Sequence, residues 1–457
     1  MYDVVIVGGG PGGYAAALYA HNFGLTVALV EKDSVGGTCL LRGCIPAKTW
    51  LQAAEVFTTV KNAAQFGVVS SEPTFDWSAG LARKNKIVAG LVGGLSGLLK
   101  QRKVDVISGF GRLDGPGRVI VTSGSGDEQI VEGNNIIIAT GSTPRSIPGY
   151  DFDGVHIVSS DHALDWESRP ERVAIIGGGI IGCEFASLLV DLGSEVHVFD
   201  ILDRILPGVD TPAANELQKH LKRRGVTFNL GVSVQPPRID DSGVTITWAD
   251  KSVEVDVVLV AVGRAPLTER LGLETTGVAV DRGYVIADRE TQLAAEPSVY
   301  AVGDVLAGVP GLAHGAFAEA IAAITHIATG ATAPVNYLAL PNVVYTHPEV
   351  AEVGLSEEKA TELGYDVDVH DHSFIGVGRA QIIGQNKGTV RIVAEKNGPI
   401  IGASVVGPHA GEMIHELMYA VGWEALPEEA AAFIHAHPTL SEAVGETLLS
   451  STGRSLH

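Results

Sequence analysis

Apolar residues in this 457-residue chain come in short runs cut by glycine-rich turns. Residues 3–7 make one such run, the pattern of a strand buried on both faces of a parallel sheet. Gly8-Gly9-Gly10-Pro11-Gly12-Gly13 follows, then a helix-like stretch over 14–22 and a strand over 26–30 that ends in Glu31. The same plan returns near residue 172. A strand at 173–176 leads into Gly177-Gly178-Gly179-Ile180-Ile181-Gly182, then a helix running to Asp191 and a strand at 196–199 ending in Asp200. Glycine and acid are 23 positions apart in both copies (8 to 31, 177 to 200). The pattern predicts two copies of one nucleotide-binding unit.

The last third reads differently. Apolar runs at 390–394 and 400–406 flank Asn397-Gly398, a hairpin signal, and a helix with apolar spacing follows over 411–421. This predicts an α+β domain beginning near residue 340. The overall expectation is an α/β chain with two Rossmann-like nucleotide-binding domains followed by this α+β domain. No low-complexity linker divides them, so tight packing is expected.

Composition narrows the function. Asp and Glu total 53 against 32 Lys and Arg, a formal charge of −21. That speaks against nucleic-acid binding and against docking on an anionic membrane. No run of about 18 apolar residues occurs, and the N-terminus carries no targeting pattern, so the default expectation is cytoplasmic. Three cysteines, Cys39, Cys44 and Cys183, are too few for a secreted disulfide scaffold.

Each glycine fingerprint has a physical logic. The first glycine makes the turn, the second lets backbone approach a pyrophosphate, and the third lets helix pack on strand. The expected contacts are Gly8, Gly10, Gly13 and Glu31 in the first copy and Gly177, Gly179, Gly182 and Asp200 in the second. Two copies suggest one flavin and one nicotinamide dinucleotide. Asp200 would repel a 2′-phosphate, which favours NAD over NADP; Arg204 is the one residue against this.

Just past Glu31 lies Gly36-Gly37-Thr38-Cys39-Leu40-Leu41-Arg42-Gly43-Cys44-Ile45-Pro46-Ala47-Lys48. Two cysteines with four residues between them can pair near one helical turn. The alternatives are two buried free thiols or half a metal site. A zinc site usually needs four ligands, and Cys183 is the only other cysteine, so no metal is expected. In a reducing compartment such a pair is more often catalytic than structural. Cys183, inside the second nucleotide helix, reads as a small buried apolar residue. Near the C-terminus, His437-Pro438 has a glutamate five residues on. Glu442 can orient the imidazole, and His437 can then take and return a thiol proton. His435 reads as a structural neighbour and His347 as a turn residue.

Taken together, GGGPGG, GGTCLLRGCIPAK, IIATGSTP, GGGIIGCE, AVGRAP, VYAVGDV, LAHGA, YTHPEVAEVG and HAHPTLSE make the chain resemble the pyridine nucleotide–disulfide oxidoreductases, most closely the dihydrolipoamide dehydrogenases, over essentially its whole length. The pattern departs at Leu41-Arg42, where such enzymes often carry Asn-Val, and at Gly315, where they often carry Lys. The resemblance implies FAD and NAD as cofactors, a Cys39–Cys44 redox disulfide, and four domains: FAD-binding over 1–145, NAD-binding over 146–267, a central domain over 268–339 that completes the FAD site, and an interface (dimerisation) domain over 340–457. Cys39 would exchange with the substrate and Cys44 would lie against the flavin as a charge-transfer thiolate. It implies that Lys48 reaches the flavin N5 region and pairs with Glu184. His437 would serve the disulfide of the other subunit of a homodimer. Thr140, Gly141 and Asp304 would contact the flavin, with Ala313 opening a helix whose free N–H groups face flavin C2 and N1. Gly111 and Gly263 join the positions expected to line a cofactor. The implied activity is oxidation of protein-bound dihydrolipoamide with reduction of NAD, within a 2-oxo acid dehydrogenase or glycine cleavage complex. The rivals are other flavin disulfide reductases of glutathione, mercury or quinone type, and a non-catalytic scaffold that merely holds FAD.

Overall fold

The computed structural model describes residues 1–240, 243–295 and 297–456. It falls into two compact units. The first comprises Met1–Thr49, Ser78–Arg145 and Gly263–Val335. Its sheet runs Leu293–Ala295, Val299–Ala301, Glu128–Ile138, Tyr2–Val7, Val27–Glu31, Asp105–Ser108. Every neighbouring pair after the first is parallel. Val4, Val5 and Ile6 of the central strand are fully buried. Apolar side chains on both faces explain the unbroken run in the sequence, each stabilising by about 1.5–3 kcal/mol. The helices Pro11–Ala20 and Ala313–Thr329 share one apolar core with the inner strands.

The first nucleotide helix starts three residues earlier than the periodicity predicts. Pro11 occupies the first turn, where its missing N–H costs nothing, and Gly12 and Gly13 are already helical. The helix ends at Ala20 and passes into a short turn of 3-10 helix, His21–Phe23.

The second unit comprises Trp50–Trp77, Ser146–Val262 and Asn336–His457. It holds an all-parallel sheet in the order Thr227–Leu230, Glu195–Asp200, Arg172–Ile176, Val257–Val260, Ile157–Val158. It also holds an antiparallel sheet ordered Asn342–Val344, Glu349–Gly354, Ile400–Gly407, Thr389–Glu395, Val367–Ser373. The hairpin turn falls where the sequence places it, with Asn397 at φ +62. The helices Ala410–Gly422 and Glu442–Ser451 bury Met413, Ile414, Leu417, Val444 and Leu448 against that sheet. Among the described residues, no helix is long and apolar enough to cross a membrane.

Within this unit the start of the helix Thr211–Arg223 is tied to the antiparallel sheet by polar groups. The Ser404 hydroxyl donates to Asp210 Oδ2 at 2.9 Å, and Asp210 N–H donates to Glu352 at 3.1 Å. Burial raises both carboxyls above their ordinary values, although these hydrogen bonds pull the other way.

Candidate active site

The two glycine fingerprints have nearly the same local geometry. Gly8 sits at φ +110 and Gly177 at φ +112, a region open to glycine. A Cβ on Gly8 would strike the Ala139 carbonyl, and one on Gly177 the Ala261 carbonyl. Gly13 lies against the Gly8 carbonyl and Gly182 against the Gly177 carbonyl, with no room for a side chain. Gly10 and Gly179 cap their helices without any side-chain cap. A Cβ on Gly10 would meet only Gly37 Cα at 3.8 Å, and one on Gly179 would meet nothing within 4 Å. Each helix therefore presents uncapped N–H groups to open space, a cradle that fits a dinucleotide pyrophosphate.

The acids close these cradles. Gly9 N–H donates to Glu31 Oε2 at 2.6 Å and Asp33 N–H to Oε1 at 2.8 Å. In the second copy, Gly178 N–H donates to Asp200 Oδ2 at 2.7 Å and Leu202 N–H to Oδ1 at 2.8 Å. Each carboxylate is thus fixed by backbone and retains lone pairs for ribose hydroxyls. Arg204 lies within 4 Å of Glu358 and hydrogen-bonds Thr211 and the Pro207 carbonyl, so its charge is engaged elsewhere.

The cysteine segment differs from a single helical turn. Cys39 lies in the helix Gly37–Arg42, and Cys44 opens a second helix, Cys44–Lys61. Gly43 separates them, and a Cβ there would crowd the Thr38 carbonyl at 2.9 Å. Both are free thiols here. A hydrogen bond with Cys44, then burial, push the Cys39 thiol up; the Cys44 charge and Asp304 add to this, and Lys48 opposes it. Cys39 therefore holds its proton beside Cys44. Arg42 is spent in an exposed ion pair with Asp33.

The segment is seated on the first fingerprint. Gly36 N–H donates to the Gly9 carbonyl at 2.8 Å, and Gly37 packs directly on Gly10. Tyr14, on the first fingerprint helix, feels both sulfurs. Burial, then the Cys39 and Cys44 charges, push its phenol up to about 12. Its ring lies 5.7 Å from that of Phe317.

A polar chain unforeseen from the sequence runs beside the thiols. Arg264 donates from Nε to Ser142 Oγ at 2.7 Å and from a terminal nitrogen to the Ser142 carbonyl at 2.8 Å and Thr38 Oγ1 at 3.4 Å. The Ser142 hydroxyl donates to Asp304 Oδ2 at 2.7 Å. Buried Glu319 fixes the same turn, accepting from Gly303 N–H at 2.6 Å. Arg264, Ser142 and Glu319 lie inside or near recognised motifs, but only the fold reveals that they meet. Thr140 Oγ1 donates to the Leu267 carbonyl at 2.7 Å. Gly141 has φ +69 and open space above it, and Gly263 has φ +113. Ala313 opens its helix after an uncapped Leu312. A Cβ on Gly111 would instead meet Val7 Cγ1 at 3.0 Å and Val30 Cγ1 at 3.1 Å.

In the second unit, Glu184 is buried on the helix Ile180–Asp191 and accepts from Tyr345 N–H at 3.0 Å. Cys183 is fully buried and its thiol donates to the Gly178 carbonyl. His347 is held by its backbone, donating to Ser187 Oγ at 2.9 Å. His437 Nδ1 is 2.8 Å from Glu442 Oε1, and Thr439 N–H donates to Oε2 at 2.8 Å. Burial alone would raise the Glu442 carboxyl, but these partners hold it below its ordinary value. The His437 side chain is 77 % exposed, so its outer nitrogen is accessible. No cluster suited to a metal occurs among the described residues.

Comparison with known proteins agrees with this geometry. Residues 2–320 match the family described as pyridine nucleotide-disulphide oxidoreductase, and residues 340–448 match its dimerisation domain. The chain is 39 % identical to a dihydrolipoyl dehydrogenase of Bacillus subtilis over 100 % of its length and 99 % of the relative's. It is 40 % identical to dihydrolipoyl dehydrogenase 3 of Pseudomonas putida, with the same coverage. The crystal structure of LpdA from Mycobacterium tuberculosis superposes with a TM-score of 0.91 at 28 % identity, covering 98 % of this chain and 99 % of that one. This chain is a member of the pyridine nucleotide-disulphide oxidoreductase family.

Proposed function

We propose that this chain is a dihydrolipoyl dehydrogenase that uses FAD and NAD and oxidises lipoyl groups carried on a 2-oxo acid dehydrogenase or glycine cleavage complex. Its domains would be FAD-binding over 1–145, NAD-binding over 146–267, central over 268–339 and interface over 340–457. The observation that carries the reading is the seat of the thiol pair: Gly36 and Gly37 lock the Cys39 helix onto Gly9 and Gly10 of the first dinucleotide cradle.

The residues divide the work as follows. With Cys39 and Cys44 paired as a disulfide, a substrate thiolate attacks Cys39 Sγ. The S–S bond breaks, and Cys44 leaves as a thiolate. The second substrate thiol attacks the mixed disulfide, releasing the cyclic disulfide product and Cys39 as a thiol. His437 of one chain, oriented by Glu442, takes the proton of the first attacking thiol of the substrate bound at the other chain's cysteines, gives it to Cys39 as that sulfur leaves the mixed disulfide, and takes the proton of the second thiol, so that one proton ends on Cys39 and one on the imidazole. Lys48 steadies the negative sulfur and Asp304 helps hold the flavin. FAD, when bound, carries the electron pair from the dithiol to NAD. Glu31 and Gly8, Gly10 and Gly13 would hold FAD; Asp200 and Gly177, Gly179 and Gly182 would hold NAD, where the Asp200 carboxylate disfavours a 2′-phosphate. The first experiment is dihydrolipoamide-dependent reduction of NAD by the flavin-loaded protein, compared with NADP. Rapid turnover with NAD alone is expected. Flavin reduction by NADH without dihydrolipoamide turnover would move the search to other disulfide, metal or quinone acceptors.

A further inference from the structure

A second imidazole–carboxylate pair stands beside the first. His435 Nε2 lies 2.5 Å from Glu416 Oε1 of the helix Ala410–Gly422. Residues 432–438 are exposed except for His435, whose side chain is only 13 % exposed. The imidazole therefore serves as the inward anchor of an otherwise exposed loop. Its other face rests on the helix Glu442–Ser451 at Gly445, where a Cβ would fall 2.6 Å from His435 Nδ1. Gly445 is buried in mid-helix, where glycine costs about 0.5–1 kcal/mol relative to alanine. Room for this ring is a physical reason for glycine at that position. The clamp thus has three parts: Glu416 on one helix, His435 in the loop and Gly445 one turn beyond Glu442.

We propose that Glu416, His435 and Gly445 act as positioning residues that hold His437 against Glu442. The inference rests on the reading of His437 and Glu442 as the proton-transfer pair. The loop is gripped at two points two residues apart, His435 by Glu416 and His437 by Glu442. Releasing the first grip frees Ala436 and His437 to swing, and general-base transfer falls steeply with misplacement of about 1 Å. The ionisable groups on the elements around the loop are Glu412, His415 and Glu416 on one helix, Glu442 and Glu446 on the other, and Glu428 and Glu429 on the turn of helix Pro427–Ala430. Of these, Glu416 and then Glu442 raise the basicity of His435, against burial.

Three variants test this: Glu416→Gln, His435→Asn and Gly445→Ala, in the flavin-loaded dimer. Dihydrolipoamide oxidation is followed against pH, with NADH reduction of ferricyanide as a control that needs no thiol proton acceptor. The expected result in all three is a kcat roughly tenfold lower with little change in KM. The acid limb of the kcat/KM profile should move in the same direction in all three, because each disturbs the same His437–Glu442 contact. Ferricyanide reduction should persist. Gly445→Ala is decisive, since it displaces the ring and removes no charge. A shift upward in His435→Asn with none in Gly445→Ala would mark a pure charge effect and overturn positioning. Unchanged kcat and limb would overturn it too, as would activity lost only in step with dimer loss while remaining dimers keep the parent limb. His437→Gln is the reference: if that variant keeps full turnover, the proton-transfer reading itself fails, which is a different result from silence in the three variants.

Discussion

The Gly36 N–H donates to the Gly9 carbonyl at 2.8 Å. This one hydrogen bond joins the two motifs on which the chemistry depends, the dinucleotide cradle and the cysteine helix. The next residue strengthens the join, because Gly37 packs on Gly10 with no space for a side chain. A thiol pair fixed this way cannot drift from the cofactor that the cradle receives. The arrangement therefore predicts separable losses when single parts are changed.

Replacing His437 by Gln removes the proton acceptor and leaves the cradles intact. Dihydrolipoamide turnover should fall by roughly 100- to 10,000-fold. Flavin content and NADH reduction of ferricyanide should stay near the parent level. Stopped-flow and steady-state assays on the same preparation would measure both.

The glycine cradles should fail independently. Gly182→Ala drives a methyl into the Gly177 carbonyl, so strand and second nucleotide helix must part. Overpacking of this kind costs about 1–3 kcal/mol. The variant should retain flavin but bind NADH weakly, as fluorescence titration would show. Gly13→Ala, its counterpart, should instead purify with little flavin.

Asp200→Ala removes the group that accepts from Gly178 and Leu202. NAD should bind about tenfold less well, the loss of one charge-assisted hydrogen bond of about 1.5 kcal/mol. The NAD-to-NADP ratio of kcat/KM should drop, because the repulsion of a 2′-phosphate goes with the carboxylate. A ratio equal to the parent's would assign the preference to other groups.

Glu352 gives a pH prediction. Burial, opposed by hydrogen bonds from Asp210 and Asn342, raises its carboxyl above 4.5. Between 4.5 and the folded-state value the native chain binds a proton that the unfolded chain has released. Its contribution therefore weakens stability as pH rises through that window, and the cost persists above it. Glu352→Gln carries no charge and keeps one of the two oxygens that accept from Asp210 N–H and Asn342 Nδ2. Its Tm should exceed the parent's at pH 8, and the gain should shrink toward pH 4. A gain that does not depend on pH would place the carboxyl in a normal environment.

Much of this molecule is legible in its residue order. The two glycine cradles were, because strand, turn, helix and acid are consecutive and each step is a local backbone requirement. The hairpin at Asn397 and the His437–Glu442 pair are likewise short-range, five positions apart in the latter case. Even there the fold sets the details. The two cysteines lie on separate helices broken at Gly43, because crowding at the Thr38 carbonyl, not helical periodicity, governs that position.

Relations across long stretches of chain were decided only by tertiary structure. Arg264, Ser142 and Asp304 meet although 122 and 162 positions separate Ser142 from the other two. Glu416 reaches His435 from another helix, and Gly445 clears the space for that ring. No periodicity announces such meetings, since a lone Glu or Gly reads as surface or turn until its neighbours are known. Local backbone geometry is written in adjacent residues, so the sequence determined the cradles and the thiol pair. The burial and orientation of single polar side chains depend on which distant elements pack together, so the fold alone decided the supports around them.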